Sequence, residues 1–493
     1  MSAQFAHRAY MLDVSRDRVP TNDTLDWLVG ILAAAGFNEL QLYIEHTFDY
    51  RGHEVVWRDA SPLTHEDLER LDDVCDAAGL DLVANMNGFG HMTRWLTHED
   101  YRSRAECPDG FPSPFGGGHS DPTCLAPTAD NAAFAVDLAS DMLSAVRHSR
   151  VHIGGDEPFE LGEGASAAEV AVRGRDHVYL EHLSRIIEPL AADGHEVMFW
   201  ADLFRRDASL IPKIPSNSVP VVWNYEAPAV DSWMDFLSEE FLERLGLPED
   251  ANLGFVAHAR LFIDGGVPFW VAPGTSTWNT IIGRNLNAAA NIADAVEVGA
   301  AHGSPGLLLT DWGDGGHWQP LVVSLPSIVR CGAAATTGQI PEDTDVWAAI
   351  DQMAGFDAGI GELIDRLGRV SESIGVFSPN SSAVSAGLGG GPFPVMGTAD
   401  PLGMHDAALL INDAIQRFHA SAGGPRGEIV AAEMAAACGL AAHGLARLAE
   451  EQHVELPVSP SASLSEAIEA QRSAWLLSSR PGGLDDSVAK LPV

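Results

Sequence analysis

The stretch HIGGDEP, residues 152–158, places two carboxylates side by side after a short hydrophobic run and two glycines. Neighbouring residues at a strand end point to different sides of the backbone, so Asp156 and Glu157 can reach different atoms of one small molecule. Clustered carboxylates raise each other's proton affinity, which helps to keep Glu157 protonated near neutral pH. The pair therefore has the features of an acid–base site, whereas an ordinary Asp-Glu pair is a solvent-exposed turn.

Two alternative chemistries fit this stretch less well. Diguanylate cyclases carry Gly-Gly-(Asp/Glu)-Glu-Phe, but here Pro158 follows Glu157, and the chain has no GxxxxGK[ST] loop for phosphate. Zinc hydrolases commonly use closely spaced ligands such as HxH, and that spacing is absent. We therefore expect neither a metal nor a cofactor. The histidines considered as ligands are His46, His53, His91, His152 and His317.

A glycosidase needs the chemistry that the pair offers. Cleavage of a glycosidic bond requires a protonated acid beside the leaving oxygen and a negative charge near the anomeric centre, where an oxocarbenium-like charge develops. Aromatic rings stack on the apolar faces of pyranoses, and the chain holds twelve tryptophans. Those on predicted helices, such as Trp27 and Trp347, are interpreted as core residues.

Short runs rich in β-branched and aromatic residues alternate with amphipathic stretches up to about residue 330, as in repeated βα units. Eight such units predict an α/β fold, a (β/α)8 TIM barrel with its active site at the carboxyl ends of the strands. A doubly wound sheet is the alternative. The predicted strands are RAYMLDV, ELQLYIE, LDLVANM, RVHIGG, EVMFWAD, VPVVWNY, VPFWVAP and PGLLLTD.

Polar and aromatic residues cluster at the ends of these predicted strands, where a barrel has its active site. Any one of them could fill the core, but their common placement favours a shared site. In chain order they are Arg16, Glu45, His46, Asn87, His91, Asp156, Glu157, Trp200, Asp202, Trp223, Tyr225, Trp278, Asp311, Trp312 and Asp314.

Two segments outside the βα rhythm are rich in glycine and proline. Residues 104–127 lack periodicity and are predicted to form an extended loop over the active-site face, a candidate lid. Residues 378–401 interrupt an Ala- and Leu-rich helical region and are interpreted as a surface loop or arm. We predict a catalytic barrel over residues 1–335 and an α-helical C-terminal domain over 336–493.

Composition limits the partners. Asp and Glu outnumber Lys and Arg by 69 to 29, a formal charge of -40, so nucleic acid and anionic membranes would be repelled. No run of 18 apolar residues and no signal peptide is visible, so we expect no membrane contact and a cytoplasmic location. The five cysteines include no CxxC motif, and free thiols are expected, although Cys107 and Cys124 flank one loop.

HIGGDE after a fourth barrel strand, together with Arg16, FGH at residues 89–91 and the aromatic residues of strands five to eight, resembles glycoside hydrolase family 20, the β-N-acetylhexosaminidases. MLDVSRDRVP, LQLYIEHTFDYRGHE and TDWGDGGHWQP resemble a bacterial branch. The resemblance covers residues 9–320. The family's usual small α/β domain before the barrel is expected to be missing, because the first strand begins within ten residues of the start.

The resemblance implies a retaining, substrate-assisted mechanism through an oxazolinium intermediate. Glu157 would be the general acid and then the base, and Asp156 would orient the acetamido N–H. Tyr225 would hold the acetamido oxygen, and His91 would support Glu157, in a chain that includes Asp49. The implied substrate-binding residues are Arg16 for ring hydroxyls, Trp200, Trp223, Trp278 and Trp312 for the pocket wall, and Asp314 for the outer hydroxyls.

The resulting hypothesis is an exo-acting glycoside hydrolase that removes terminal β-linked GlcNAc or GalNAc from small carbohydrates. Asp314 stands where the family often has Glu, which leaves the choice between gluco and galacto sugars open. A glycosidase with another hexosamine specificity and a catalytically weak sugar-binding protein are the alternatives. The helical C-terminal domain could form a homodimer or pack on its own barrel.

Overall fold

The computed structural model describes residues 3–16, 18–113, 118–205, 207–229, 247, 250–421, 423 and 426–492. Its centre is a closed barrel of eight parallel strands, in which each strand pairs with the next along the chain and β8 closes on β1. The strands are β1 His7–Asp13, β2 Glu39–Ile44, β3 Asp81–Met86, β4 Arg150–His152, β5 Glu196–Trp200, β6 Ser218–Trp223, β7 Trp270–Ala272 and β8 Gly306–Asp311.

This arrangement confirms the predicted TIM barrel, and each predicted strand run overlaps one barrel strand. The closing pair is in register over six residues, from His7 opposite Gly306 to Leu12 opposite Asp311. The strands alternate with surrounding helices. These lie at Asn22–Ala35, Glu54–Trp57, His65–Ala78, Thr93–Leu96, Glu99–Arg102, Ala129–Leu143, Ala167–Arg173, Arg175–Ala192, Phe255–His258, Arg260–Gly265, Asn285–Ala301 and Leu325–Thr337.

The first two long helices begin and end where their sequences indicate. The Thr21 side chain caps Asn22–Ala35, and Thr64 forms a capping box with Asp67 at the start of His65–Ala78. Gly36 and Gly79 follow these helices with positive φ, the left-handed conformation that stops a helix at low steric cost. Such local signals fix the helix lengths that bring each following strand into the barrel.

Two layers of apolar side chains form the core. One cluster fills the barrel interior and includes Met11, Met198 and Leu308, with several aromatic residues of the predicted site above them. The larger cluster lies between the strands and the helices and continues into the C-terminal region. The barrel interior is therefore packed, as in other TIM barrels.

The C-terminal region is helical, as predicted, and carries one short strand pair, Val376–Phe377 with Met396–Gly397. Helix Gly427–Glu451 is long and apolar enough to cross a membrane by length and composition, and more than half of its most apolar window is buried. It packs against Pro401–Ser421 and Leu464–Ser478. The helices are Asp343–Ala354, Ile360–Gly368, Val370–Ser373, Ala383–Ala386, Pro401–Ser421, Gly427–Glu451, Leu464–Ser478 and Leu484–Ala489.

The segment predicted as a lid is anchored to the loop after β4. It contains a strand pair, Phe111–Pro112 with His119–Ser120, and its residues 114–117 lie outside the described part of the chain. The buried Glu160 carboxylate accepts hydrogen bonds from the backbone of Thr123 and Cys124. Within the described residues, nothing from this segment lines the cavity above the barrel, so the structure does not place these residues as a lid over it.

Candidate active site

A cavity of about 490 Å³ opens at the carboxyl ends of the barrel strands. This volume is within the usual range of ligand pockets. The ten side chains predicted as catalytic or substrate-binding residues line it and so lie around one space. They are Arg16, His91, Asp156, Glu157, Trp200, Trp223, Tyr225, Trp278, Trp312 and Asp314. The other strand-end residues predicted to share the site are outside this lining; they are Glu45, His46, Asn87, Asp202 and Asp311.

The loop after β4 turns sharply to present the two carboxylates. Gly154 and Gly155 have φ of 69° and 93°, which side chains with a Cβ rarely adopt. A Cβ on Gly154 would lie 2.5 Å from the Asn87 side chain, so glycine is also needed for this close approach. Asn87 Nδ2 in turn donates to Asp156 Oδ1 at 2.8 Å, which fixes that carboxylate.

His91 joins the two carboxylates. Its Nε2 lies 3.1 Å from Asp156 Oδ2 and 3.7 Å from Glu157 Oε2. Burial would lower the pKa of His91, but the charge of Asp156 and its hydrogen bond raise that pKa to about 9. Burial would raise the pKa of Asp156, but the charge of His91 and its hydrogen bond hold that pKa below its usual value. Asp156 is therefore ionised at neutral pH.

Glu157 has the opposite shift. Burial, together with the nearby negative charges of Asp156, Asp202 and Asp314, raises the pKa of Glu157 to about 7, against the effect of His91. Its side chain keeps 28% of its surface exposed, so it is accessible from the cavity. The site thus holds one ionised and one readily protonated carboxyl group in adjacent residues.

Arg16 lies among carboxylates at the end of β1. Its Nη1 is 3.2 Å from Asp13 Oδ2 and 3.1 Å from Glu45 Oε1, and its Nε is 3.7 Å from Asp314 Oδ1. Its Nη2 lies 3.1 Å from Nδ1 of His91. These contacts hold the guanidinium at the cavity wall, beside Asp314.

Aromatic rings form most of the remaining wall. Trp223 and Tyr225 are stacked with centroids 5.2 Å apart, and Trp278 meets Tyr225 edge to face at 4.9 Å. Trp312 donates its indole N–H to the Tyr225 hydroxyl at 2.9 Å. Trp200 is fully buried at the cavity floor, 5.9 Å from the Trp312 ring. The wall is apolar and rigid, which suits the faces of a pyranose ring.

One predicted contact is wrong. Asp49 does not support His91, because its Oδ1 accepts from the backbone of His65 and lies 2.5 Å from His65 Nδ1. His65 starts the helix that follows β2, so this pair lies outside the cavity lining. Asp156 takes the place beside His91 that was predicted for Asp49.

Several wall residues were not predicted as site residues. The interpretation of residues 378–401 as a surface loop is wrong for the part that enters the cavity, since Asn380 and Gly389–Phe393 line it. Asn380 is held there by Glu226 Oε1, which accepts from its backbone N–H at 2.9 Å. The glycine- and proline-rich composition identified a loop, but no sequence signal indicated where it packs. Further unpredicted wall residues include Asn224, Glu226, His258, Asn279, Trp318 and Lys490.

Among the described residues, no group of three or more His, Cys, Asp or Glu side chains is placed to hold a metal ion. Cys107 and Cys124 are both buried free thiols, so they do not pair.

Residues 5–235 match the family model described as the catalytic domain of glycosyl hydrolase family 20. That segment begins just before β1 and ends after β6, so it contains Arg16, His91, Asp156, Glu157 and Tyr225. The matched segment also contains Trp200, Trp223, Asn224, Glu226 and Ala227, whereas the wall residues from Leu247 onward lie beyond it.

Proteins named as hexosaminidases are similar to this chain in sequence or in fold. The chain is 22% identical to the human protein named Hexosaminidase D over 398 residues, which are 78% of this chain and 75% of the relative. A β-N-acetylhexosaminidase from Bacteroides fragilis has a similar fold, with a TM-score of 0.52 and 14% identity over 72% of this chain and 71% of that one. Flavobacterium johnsoniae chitobiase gives a TM-score of 0.53 and 13% identity over 96% and 78%.

Proposed function

Because this chain is a glycoside hydrolase with a family 20 catalytic domain, we propose that it is an exo-acting β-N-acetylhexosaminidase. It would remove terminal β-linked GlcNAc or GalNAc from small carbohydrates. The observation that carries this proposal is the adjacent pair Asp156 and Glu157, whose pKa values are shifted in opposite directions within one cavity. Two carboxyl groups with separate protonation states are what glycoside cleavage requires.

Glu157 is assigned the role of general acid. With a pKa of about 7, a large share of its carboxyl groups is protonated near neutral pH and can donate to the glycosidic oxygen. The bond between the anomeric carbon and that oxygen then breaks, and the aglycone leaves as an alcohol. The resulting carboxylate is the base that takes a proton from the incoming water.

Asp156 and Tyr225 are assigned to the acetamido group of the substrate. The ionised Asp156 carboxylate accepts from the acetamido N–H, and the acetamido oxygen attacks the anomeric carbon as the aglycone departs. Tyr225 accepts from Trp312, which leaves its phenolic proton to donate to that acetamido oxygen. Water then opens the oxazolinium ring from the face that the aglycone left, so the product retains the β configuration.

The shape of the cavity supports action at chain ends. Residues after strands β1, β3, β4, β5, β6, β7 and β8 contribute to the wall, and Asn380 and Gly389–Phe393 add a further side. A pocket enclosed in this way accepts a terminal sugar more readily than the middle of a chain. Arg16 and Asp314 are adjacent in this wall and are assigned to the ring hydroxyls.

The decisive experiment compares aryl β-N-acetylglucosaminide, aryl β-N-acetylgalactosaminide and aryl β-glucoside as substrates. Turnover that requires the 2-acetamido group, together with a β-configured first product by NMR, supports the substrate-assisted route. Equal turnover of the glucoside would exclude that route. The ratio between the two N-acetylhexosaminides measures the gluco or galacto preference that the shorter Asp314 leaves open.

The first alternative, another hexosamine specificity, predicts turnover of a modified hexosaminide in the same panel. The second, a catalytically weak sugar-binding protein, predicts that N-acetylglucosamine binds while no aryl glycoside is hydrolysed at high protein concentration. The opposite pKa shifts of Asp156 and Glu157 favour an enzyme, because a binding protein needs no readily protonated carboxyl group.

A cytoplasmic location and a homodimer remain proposals. Buried free thiols at all five cysteines support a reducing compartment. Exposed leucines on the C-terminal helices, Leu402, Leu409, Leu476 and Leu477, supply apolar surface for self-association. Fractionation of the native cells and light scattering of the purified protein would test these two proposals.

A further inference from the structure

Asp202 contacts the backbone of Glu157 but has no role in the mechanism proposed for this site. It follows β5, begins the short 3-10 turn Asp202–Phe204 and is 2% exposed. Its Oδ2 accepts a hydrogen bond from the backbone N–H of Glu157 at 3.1 Å. The contact therefore joins the end of β5 to the loop after β4, at the residue assigned as general acid.

The backbone of Glu157 requires such support. Its φ is +47°, in the left-handed region that a residue with a long side chain seldom adopts. The following Pro158 restricts the Glu157 backbone further. Residues held in this region are strained and persist only where their surroundings fix them. A hydrogen bond to the peptide of Glu157 is a direct way to fix it.

We propose that Asp202 is a positioning residue for Glu157, whose carboxylate holds the strained peptide of Glu157 so that the acid group faces the glycosidic oxygen. This inference rests on the proposed function, because it assumes that Glu157 is the general acid. It adds a specific requirement, since a residue outside the carboxylate pair then determines how well the leaving group is protonated.

The second oxygen of Asp202 argues against a purely structural role. Oδ1 is buried and has no hydrogen-bond partner among the residues that the structure describes. An unpaired buried acceptor is destabilising, so a residue selected only for stability would be satisfied or replaced. Such groups are instead tolerated at functional sites. The Asp202→Asn variant is therefore expected to be as stable as the wild type or more stable.

The charge of Asp202 also acts on Glu157. The main charged groups that act on Glu157 come from several neighbouring elements: His91 after β3, Asp156 beside it, Asp202 and Arg205 after β5, and Asp314 after β8. Burial is the largest cause of the raised pKa of Glu157, and Asp202 adds to it. Removing the Asp202 charge is therefore expected to lower the pKa of Glu157 and to move the basic limb of the pH profile to lower pH.

The test uses the full chain with Asp202→Ala, Asp202→Asn and the control Asp207→Asn, a partly exposed carboxylate five residues further along the same loop. Each is assayed on 2,4-dinitrophenyl and on phenyl β-N-acetylglucosaminide across pH. Phenolate is the poorer leaving group and depends more on the general acid. Asp202→Ala is expected to lose about 10- to 100-fold in kcat/KM on the phenyl glycoside, and much less on the dinitrophenyl glycoside.

Asp202→Asn keeps an oxygen that can accept from Glu157. It is expected to retain more activity than Asp202→Ala and to show a basic limb at lower pH, with an unchanged or higher Tm. Equal losses on both substrates, or no loss in Asp202→Ala, would overturn the positioning role. A wild-type protein that hydrolyses neither glycoside would instead refute the proposed function, so the two failures are distinguishable.

Discussion

Trp278 donates its indole N–H to Oδ1 of Asn380 at 2.7 Å, although 102 residues separate them in the chain. Trp278 follows β7 of the barrel, whereas Asn380 belongs to the C-terminal region. The backbone carbonyl oxygen of Asn380 also accepts a hydrogen bond from Asn279 Nδ2 at 3.1 Å. One wall of the cavity is therefore fixed by the C-terminal region, so the barrel alone does not complete the site.

Asn380→Ala should weaken substrate binding. The variant removes the acceptor that orients the Trp278 ring, and one such hydrogen bond contributes about 0.5–1.5 kcal/mol, so we expect a roughly 2- to 12-fold loss in kcat/KM. Trp278→Phe removes the donor of the same bond. The double variant should lose less than the two single losses together, because both act on one contact.

The control for this cycle is Asn412→Ala, on the exposed side of helix Pro401–Ser421. It should leave the kinetics of aryl N-acetylglucosaminide hydrolysis unchanged. Fully additive losses in the Asn380 and Trp278 variants would contradict the proposed coupling.

The pH dependence should report the Glu157 carboxyl group. Because its pKa is about 7 and the acid acts in its protonated form, kcat/KM on the phenyl glycoside should be high below pH 7 and fall tenfold per pH unit well above it. Glu157→Gln removes the acid and should lower kcat/KM by about 10²–10⁴-fold with loss of the basic limb. A wild-type profile that stays flat up to pH 9 would contradict this assignment.

Asp156→Asn should change the titration of His91 as well as the activity. Asp156 is the main group that raises the pKa of His91, whereas burial and Arg16 lower it, so its loss should bring that pKa down from about 9. Histidine NMR titration of wild type and variant measures the shift. The same variant should lose turnover of the N-acetylhexosaminide, since the acetamido N–H loses its charged acceptor.

The same titration in His65→Asn provides a control. His65 pairs with Asp49 away from the cavity, and its loss should leave the signal of His91 in place. An unchanged His91 pKa in Asp156→Asn would mean that another group holds its proton.

The barrel and most of its site were predictable because their signals are local. Strand runs end in polar or aromatic residues, and parallel strands bring these ends to one face, so the ten predicted side chains share a cavity. The stretch HIGGDEP also indicates a turn, since Gly154 and Gly155 permit the positive φ that the backbone adopts.

The contacts between distant segments were not predictable in this way. Asn380 has no sequence pattern that pairs it with Trp278, because the pairing depends on how the C-terminal helices pack on the barrel. Asp49 was assigned to the chain of His91 through the family resemblance, and the structure places it beside His65 instead. The left-handed backbone of Glu157 was also not predictable, because a glutamate residue carries no local signal for that conformation.

Gly154→Ala should abolish activity through Asn87. The added Cβ would lie 2.5–2.8 Å from three atoms of the Asn87 side chain, so that side chain must move away from Asp156. Gly194→Ala is the matched control, because its φ of 95° carries similar backbone strain and, among the described residues other than its chain neighbours, no heavy atom lies within 4 Å of the added Cβ. Both variants should lose about 1–3 kcal/mol of stability, but only Gly154→Ala should lose turnover.

Urea unfolding and aryl glycoside assays of the two glycine variants separate these effects. Full activity in folded Gly154→Ala would show that Asp156 does not depend on Asn87 for its position.

A buried ion pair should couple the C-terminal region to the barrel. Arg18, just after β1, donates through Nη2 to Glu433 Oε1 at 2.9 Å, and both side chains are 6% exposed. The guanidinium also lies over the Trp475 ring, 4.8 Å from its centroid. Glu433→Ala leaves a buried cation without its partner, so we expect a loss of about 3–5 kcal/mol in the free energy of unfolding.

The matched control is Glu428→Ala, an exposed residue on the same helix, Gly427–Glu451, which should change stability by less than about 0.5 kcal/mol.

Because the apolar core is continuous between barrel and C-terminal helices, tryptophan fluorescence and circular dichroism should report one common unfolding transition in wild type. Glu433→Ala should move that transition to lower urea, and activity should disappear with it, since Asn380 and Gly389–Phe393 belong to the cavity wall. Activity that persists after the C-terminal helices have unfolded would show that the barrel forms its site without them.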